Sequence, residues 1–205
     1  MRKEEEQRIE NIHEWFANHV ASMHESTWTD NPATVTLVDF HRPGTGQYFM
    51  RFLMCGNKLF VTGDIVNAVF SLTEKADLLS LSKYDTAYLY EKMSCIDDRD
   101  KGYDFSSDVA LEDIKAYFAD KDDWFDEGSA EWKAAERREK RLLSAAADCI
   151  GFSDWREAVR EEYETYSTIS DTEEEGLVSS FGSVFSYGFL AVQEGLRMAA
   201  RIIYK

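Results

Sequence analysis

The sequence has few of the residues that mark several special classes of protein. Its 205 residues include only 2 prolines and 11 glycines, which excludes a collagen-like or low-complexity chain. No apolar run approaches the roughly 20 residues that cross a bilayer. Basic residues are also scarce, since 23 lysines and arginines stand against 39 aspartates and glutamates. With 44% hydrophobic and 14% aromatic residues the chain can bury a core, and we expect a soluble globular protein.

The cysteines indicate a reducing compartment. Cys55, Cys95 and Cys149 are odd in number and widely spaced, which is not the pattern of a disulfide framework. The start Met-Arg-Lys-Glu-Glu-Glu has no apolar signal core. We therefore expect a cytoplasmic protein with reduced thiols. No Cys-x-x-Cys, His-Glu-x-x-His or EF-hand pattern is present, and we predict no cofactor.

The net charge of −16 is concentrated in the middle of the chain. Residues 97–175 contain 25 acidic and 11 basic residues, whereas residues 1–96 have a net charge of −4 and residues 176–205 a net charge of +2. Such a field repels phosphate backbones and attracts basic surfaces. The dense basic run at 137–141 alternates with acidic residues, and we interpret it as a salt-bridged helix face rather than a nucleic-acid-binding stripe. We expect no direct binding to nucleic acid or to a membrane.

The hydrophobic pattern predicts an α+β fold with a small three-stranded antiparallel sheet. The strands are predicted at residues 34–40, 47–54 and 58–62, separated by turns that contain proline and glycine. The middle strand is apolar almost throughout, which indicates a central strand that is covered on both faces.

About six to eight helices are expected around this sheet, and the C-terminal half is expected to be helix-rich and acidic. Apolar spacings of three and four predict a helix over residues 3–24, and a second apolar run predicts a helix over 65–72 with Asp64 as its N-cap. Further helices are predicted at residues 75–81, 83–95, 107–119, 128–149, 153–167 and 178–203.

We interpret residues 1–205 as one α+β domain. Residues 1–72 hold the first helix, the sheet and the next helix, residues 73–175 form the acidic helical portion, and residues 176–205 form an apolar helix in the core. The helix predicted over 178–203 contains three glycines, Gly182, Gly188 and Gly195, each of which weakens a helix by about 1 kcal/mol relative to alanine. We expect close packing or a kink to compensate.

One group of residues indicates catalytic chemistry. Asp39 and His41 lie two residues apart at the end of a predicted strand, and Asp64 ends the third strand of the same sheet. Together they could form a carboxylate–imidazole site that holds a divalent metal for hydrolysis. The alternative is that Asp39 and either Arg42 or His41 cap a turn and that Asp64 caps the next helix, which turn chemistry favours.

The acidic clusters also have two interpretations. They are either solvated faces that keep the protein soluble or a surface that competes for a basic groove. Carboxylates and aromatic residues occur together at residues 122–127 and 162–166, where Trp124, Phe125 and Tyr163 could anchor a partner or could belong to the core. The candidate partner-binding residues are Asp97, Asp98, Asp100, Asp120, Asp122, Asp123, Trp124, Asp126, Glu127, Glu161, Glu162, Glu173, Glu174 and Glu175.

Several patches of sequence resemble a group of uncharacterised proteins from bacteriophages and prophages. They are residues 42–45 and 48–52 (Arg-Pro-Gly-Thr and Tyr-Phe-Met-Arg-Phe), residues 56–69, Asp85 with residues 88–92, and residues 188–196. The resemblance implies a phage or prophage source and carries no active-site residue. Small acidic phage proteins of this kind resemble anti-CRISPR proteins and other anti-defence inhibitors, several families of which present carboxylates to the nucleic-acid channel of a nuclease.

The resemblance and the charge distribution together give the leading hypothesis. We expect a non-enzymatic inhibitor, a monomer or homodimer, that binds a basic nucleic-acid-handling host protein such as a CRISPR effector nuclease through residues 97–175. The alternatives are a small metal-dependent hydrolase or nuclease that uses Asp39, His41 and Asp64, and an accessory phage protein with no inhibitory role.

Overall fold

Contacts between residues divide the chain into two compact units. The computed structural model describes residues 2–28, 31–96, 102–166 and 172–205. Unit 1 consists of Met1–Gly102 and Phe185–Lys205, and unit 2 consists of Tyr103–Val184. The α+β class is confirmed. Within the described residues, no helix is long and apolar enough to cross a membrane.

Unit 1 contains a six-stranded antiparallel sheet, so the predicted three-stranded sheet is wrong. The predicted strands are present as neighbours β2, β3 and β4, but a strand precedes them and two follow. The strands, each paired with the next, are β1 (Val20–Trp28), β2 (Asn31–His41), β3 (Met50–Cys55), β4 (Lys58–Gly63), β5 (Ala68–Ser71) and β6 (Met93–Ile96).

Three predicted helices are wholly or partly strand. The predicted helix over 3–24 ends early, because α1 spans Lys3–Phe16 and β1 then pairs with β2. The predicted helix over 65–72 is replaced by β5, in which Val69 lies opposite Phe60 of β4. The predicted helix over 83–95 is shortened to α3 (Thr86–Glu91) and is followed by β6. Short apolar runs fit either period, and sheet pairing decides between them.

Most of the remaining helices lie near their predicted positions, but α5 and α8 match no predicted helix. The predicted final helix over 178–203 is shortened to α9, because its first residues form a turn and strand β8 (Ser183–Phe185), which pairs with β7 (Tyr103–Phe105). The helices not yet named are α2 (Leu78–Leu81), α4 (Ser107–Phe118), α5 (Lys121–Trp124), α6 (Ala130–Asp148), α7 (Phe152–Tyr166), α8 (Thr172–Val178) and α9 (Tyr187–Ile203).

The core of unit 1 lies on one face of the sheet, under α1 and α9. Phe40 and Phe52 are fully buried there, whereas alternate residues of β3 are only half-buried, so the expectation that β3 is covered on both faces is wrong. A Cβ added at Gly195 of α9 would lie 3.0 Å from Phe52 Cζ. The close packing expected of the glycines in the final helix is therefore confirmed at Gly195.

The core of unit 2 is helical and centres on Trp155. This side chain is fully buried and its Nε1 donates a hydrogen bond to the carbonyl of Val178, at 3.1 Å. The turn after α8 needs a glycine, because Gly182 has φ +78° and an added Cβ would lie 2.7 Å from the Phe105 ring. Gly182 also accepts from Ser106 N at 2.8 Å, which fixes the start of α4.

Candidate functional site

Most of the acidic excess lies in unit 2. Its sequence contains 22 acidic and 9 basic residues, a net charge of −13, whereas unit 1 has a net charge of −3. The charge boundary inferred from the sequence therefore nearly coincides with the boundary between the units. A partner with a basic surface is attracted to unit 2 far more strongly than to unit 1.

Several basic side chains of unit 2 are bound to carboxylates of the same unit. Arg138 Nη1 donates to both carboxylate oxygens of Glu174, each at 3.1 Å. Arg141 makes a two-point contact with Glu162, with N···O distances of 2.6 and 2.5 Å. Lys140 pairs with a carboxylate one turn earlier on α6. Three of the four cations in the basic run at 137–141, Arg138, Lys140 and Arg141, thus belong to a salt-bridged helix face, as predicted, whereas Arg137 is exposed and makes no ion pair within the described residues.

A different set of carboxylates is exposed and makes no ion pair within the described residues. Residues 120–127, which we call the acidic segment, comprise the end of the turn after α4, helix α5 and the residues before α6. Its exposed carboxylates are those of Asp120, Asp123, Asp126 and Glu127. The segment stays short because Gly128 has φ +80° and Ser129 then caps α6, its hydroxyl accepting from Trp132 N at 3.0 Å.

An exposed aromatic side chain lies among these carboxylates. Trp124 is 46% exposed, the ring of Tyr117 lies 5.2 Å away between centroids, and the ring of Phe125 lies 6.5 Å away at an interplanar angle of 87°. These rings border a hollow of about 240 Å³, which we call the aromatic hollow. It is lined by Tyr117, Phe118, Trp124, Phe125, Glu131, Ala134, Ala135, Arg138 and Glu174.

The structure brings together only part of the predicted partner-binding set. Asp120, Asp123, Trp124, Asp126 and Glu127 lie in the acidic segment and are all exposed. The remaining candidates differ in exposure or lie outside the described part of the chain. Three candidates lie outside the described residues: Asp97, Asp98 and Asp100. Two more, Asp122 in α5 and Glu173 in α8, have side chains that the structure does not describe. Of the others, Glu161 is exposed on α7, Glu162 is buried, and Glu174 and Glu175 are half-buried.

Two predicted contact residues belong to the interior of unit 2. Glu162 is 6% exposed and is held by Arg141, so its carboxylate is not free to meet a partner. Tyr163 is 3% exposed, with the Arg138 guanidinium 4.7 Å from its ring centroid. Burial raises the pKa of Tyr163 well above its ordinary range, and the nearby Glu174 carboxylate raises it further. Tyr163 is therefore a core residue and not an anchor.

Sequence reasoning missed several residues of the aromatic hollow, among them Tyr117 and Glu131. Tyr117 comes from the last turn of α4 and Glu131 from the first turn of α6. The available signal was the position of Tyr117, which adjoins the core residue Phe118 and is followed seven residues later by Trp124. Only the packing of α4 against α6 shows that these side chains meet.

The predicted carboxylate–imidazole site does not form a metal site. Asp39 accepts from Arg51 Nε at 2.6 Å, its cross-strand neighbour, and Asp64 accepts from Tyr48 N at 2.9 Å. His41 Nδ1 is buried without a hydrogen-bond partner in the described part of the chain. Among the described residues, no group of three or more histidine, cysteine or acidic side chains could hold a metal ion. The expected helix cap at Asp64 is also wrong, because no helix follows it.

The three cysteines are free. Burial raises the pKa of the Cys149 thiol, and the carboxylates of Asp154 and Asp148 raise it further. A raised pKa disfavours the nucleophilic thiolate, so Cys149 has the character of a structural side chain.

Comparisons with known proteins add no further constraint on this surface. No protein-family model, no curated protein and no solved structure matches the chain. The acidic segment and the aromatic hollow are therefore characterised by their geometry and charge alone.

Proposed function

We propose that the chain is a non-enzymatic inhibitor, made by a phage or prophage, that acts in the bacterial cytoplasm on a basic nucleic-acid-handling protein such as a CRISPR effector nuclease. Inhibition follows when the acidic segment of unit 2 occupies the nucleic-acid channel. The observation that carries the proposal is a set of exposed carboxylates, without ion pairs among the described residues, around an exposed tryptophan.

The mechanism is a substitution of carboxylates for phosphates. A nucleic-acid channel binds phosphates through lysine and arginine side chains, and that binding weakens as salt rises. Asp120, Asp123, Asp126 and Glu127 can contact the same basic side chains, because none of them is neutralised by an ion pair within the described residues. The net charge of −13 on unit 2 speeds the encounter with such a channel.

A face that serves only solubility does not need Trp124. Solubility requires charge. An exposed tryptophan places an apolar ring in water, which is unfavourable, and tryptophan is typical of the anchor residues of protein interfaces. Trp124 is exposed in the acidic segment, where the exposed carboxylates that make no ion pair within the described residues lie close together in the chain. This combination favours a binding surface over a merely solvated one.

The test is a cleavage assay with a purified, guide-loaded Cas9-type nuclease and its target DNA. The test variant combines Asp120→Lys, Asp123→Lys, Asp126→Lys and Glu127→Lys. The control variant reverses four exposed carboxylates of unit 1, with Glu14→Lys, Glu25→Lys, Glu74→Lys and Glu91→Lys. Both variants change the net charge by the same amount, so a difference between them reports position and not total charge.

We expect the wild-type chain and the control variant to inhibit cleavage equally, and the test variant to inhibit it at least about tenfold less. Equal inhibition by all three proteins would show that the acidic segment is not the contact surface. Absence of inhibition by the saturating wild-type chain would remove the assignment to this class of nuclease.

A further inference from the structure

The aromatic hollow has the size of a site for one side chain. Its volume of about 240 Å³ is below the roughly 300–1,000 Å³ that is usual for small-molecule pockets. The hollow adjoins the acidic segment, because Trp124 and Phe125 belong to both.

The rings of the hollow present faces in different directions. Tyr117 and Trp124 are inclined by 58°, and Trp124 and Phe125 by 87°. Aromatic faces carry negative partial charge and attract a cation within about 6 Å of the ring centroid. Inclined rings can therefore contact one cationic group from more than one side.

The charged residues in the lining also favour a cation. Arg138 is balanced by Glu174, whose two oxygens it contacts at 3.1 Å, and it also lies against Tyr163. Glu131 is exposed and forms no ion pair within the described residues. The net charge of the lining is thus negative, and the exposed carboxylates of Asp126 and Glu127 lie a few residues before Glu131 in the chain.

We propose that the aromatic hollow receives an arginine side chain of the partner protein, with the guanidinium against Trp124 and Tyr117 and hydrogen-bonded to Glu131. Arginine is favoured over lysine because a guanidinium is planar, weakly hydrated and able to stack on rings while it donates two hydrogen bonds to one carboxylate. This inference rests on the proposed function, and it names the group of the partner that the surface recognises.

The test uses two short peptides of equal length and charge, one with arginines and one with lysines at the same positions. The affinity of each peptide for the full chain and its variants is measured by isothermal titration calorimetry, and NMR of the tryptophan indole N–H groups, with the Trp124 signal assigned by its loss in Trp124→Phe, shows where the peptides bind. We expect the arginine peptide to bind about two- to fivefold more tightly than the lysine peptide and to shift the Trp124 signal.

Three variants make the test specific. Trp124→Ala and Glu131→Gln are expected to remove the preference for arginine, whereas Trp124→Phe, which keeps a ring, is expected to retain part of it. Each altered side chain is exposed, and unchanged signals from the other tryptophans will show that the variants fold. Equal affinity for the two peptides, or a preference that survives Trp124→Ala, would overturn the inference.

The same peptides separate this inference from the proposed function. The four-residue reversal of the acidic segment is expected to weaken both peptides together, because it removes charge attraction without choosing between the two cations. A preference for arginine without inhibition of the nuclease would leave the hollow assigned and the proposed function wrong. Inhibition without that preference would support the acidic surface and overturn the hollow.

Discussion

The two units use their carboxylates in different ways. In unit 1, Asp39 is bonded to Arg51 across the sheet, Glu5 accepts from the backbone of Phe185, and Glu194 pairs with His13. These carboxylates hold elements together. In unit 2, one set of carboxylates forms ion pairs with several of the basic side chains, such as Arg138 and Arg141, and a second set in the acidic segment remains exposed.

This difference shows that net charge alone does not indicate function. Unit 1 has a net charge of −3; some of its carboxylates, such as that of Asp39, are held in structural contacts, and others, such as those of Glu14 and Glu74, are exposed. Unit 2 has a net charge of −13 and keeps exposed carboxylates next to exposed aromatic surface. The position of the unbonded charges, rather than their sum, identifies the candidate surface.

The two variants with the largest expected effect test whether the two units are separate folding units. Trp155→Ala leaves a cavity in the core of unit 2, and Phe52→Ala leaves a cavity in the core of unit 1, since both side chains are fully buried. Each substitution is expected to cost about 3–5 kcal/mol in the free energy of unfolding. Hydrogen exchange is expected to show the loss of protection only in the unit that carries the substitution. A uniform loss of protection across both units would show that the two units do not unfold separately.

A second pair of variants compares a buried and an exposed ion pair within unit 2. Arg141→Met leaves the buried carboxylate of Glu162 without its partner, and we expect a loss of about 1–3 kcal/mol, because Arg141 itself is partly exposed. Arg160→Met removes contacts to Glu157 and Glu164 that are open to solvent, and we expect no measurable change. Urea denaturation of the two variants measures the difference, and equal losses would contradict the account.

Alkaline pH is expected to destabilise unit 2 through Tyr163. Its pKa is raised in the folded chain from an ordinary value near 10, so the unfolded state loses the proton first and stability falls as the pH rises above about 10. The loss is at most about 1.4 kcal/mol between pH 10 and pH 11. Tyr163→Phe should remove this part of the pH dependence, as measured by thermal unfolding between pH 8 and pH 11. A variant with an unchanged alkaline slope would show that Tyr163 is not the group responsible.

Acidic pH is expected to destabilise unit 1 through His19, with the smallest effect of the set. Burial lowers the pKa of His19 below its usual 6.5, although the hydrogen bond to the Tyr48 carbonyl opposes the shift. Stability from the neutral ring is present above pH 6.5 and is lost as the pH falls through the lowered folded value. His19→Gln should flatten the unfolding profile between pH 7 and pH 5.

The sequence predicted the parts of the fold that depend on local pattern. The predicted helix over 107–119 corresponds to α4, because the Ser106 hydroxyl caps the helix by accepting a hydrogen bond from Val109 N and because the apolar residues repeat at helical spacing. Strand β1 was missed because Val20 and Met23 continue the apolar spacing of α1 beyond its end at Phe16. Strand β5 was missed because its residues fit a helix as well as they fit a strand. Both strands are fixed by pairing with β2 and β4, which local pattern does not contain.

The candidate site was partly visible in the sequence for a similar reason. The carboxylates of the acidic segment and Trp124 are neighbours in the chain, so their proximity needed no fold. Burial of Tyr163 and the pairing of Glu162 with Arg141 depend on the packing of the consecutive helices α6 and α7, which brings together residues 21 positions apart in the chain. The aromatic hollow likewise needs four helices, α4, α5, α6 and α8, to meet.

The central claim is that the acidic segment takes the place of nucleic acid on a basic partner. Its most direct test is displacement of fluorescently labelled target DNA from a guide-loaded Cas9-type nuclease, followed by fluorescence anisotropy at two salt concentrations. The account predicts that the wild-type chain and the unit 1 control variant release the DNA, that added salt weakens the release, and that the four-residue reversal at Asp120, Asp123, Asp126 and Glu127 abolishes it. A nuclease that binds the chain and the DNA together would contradict the account.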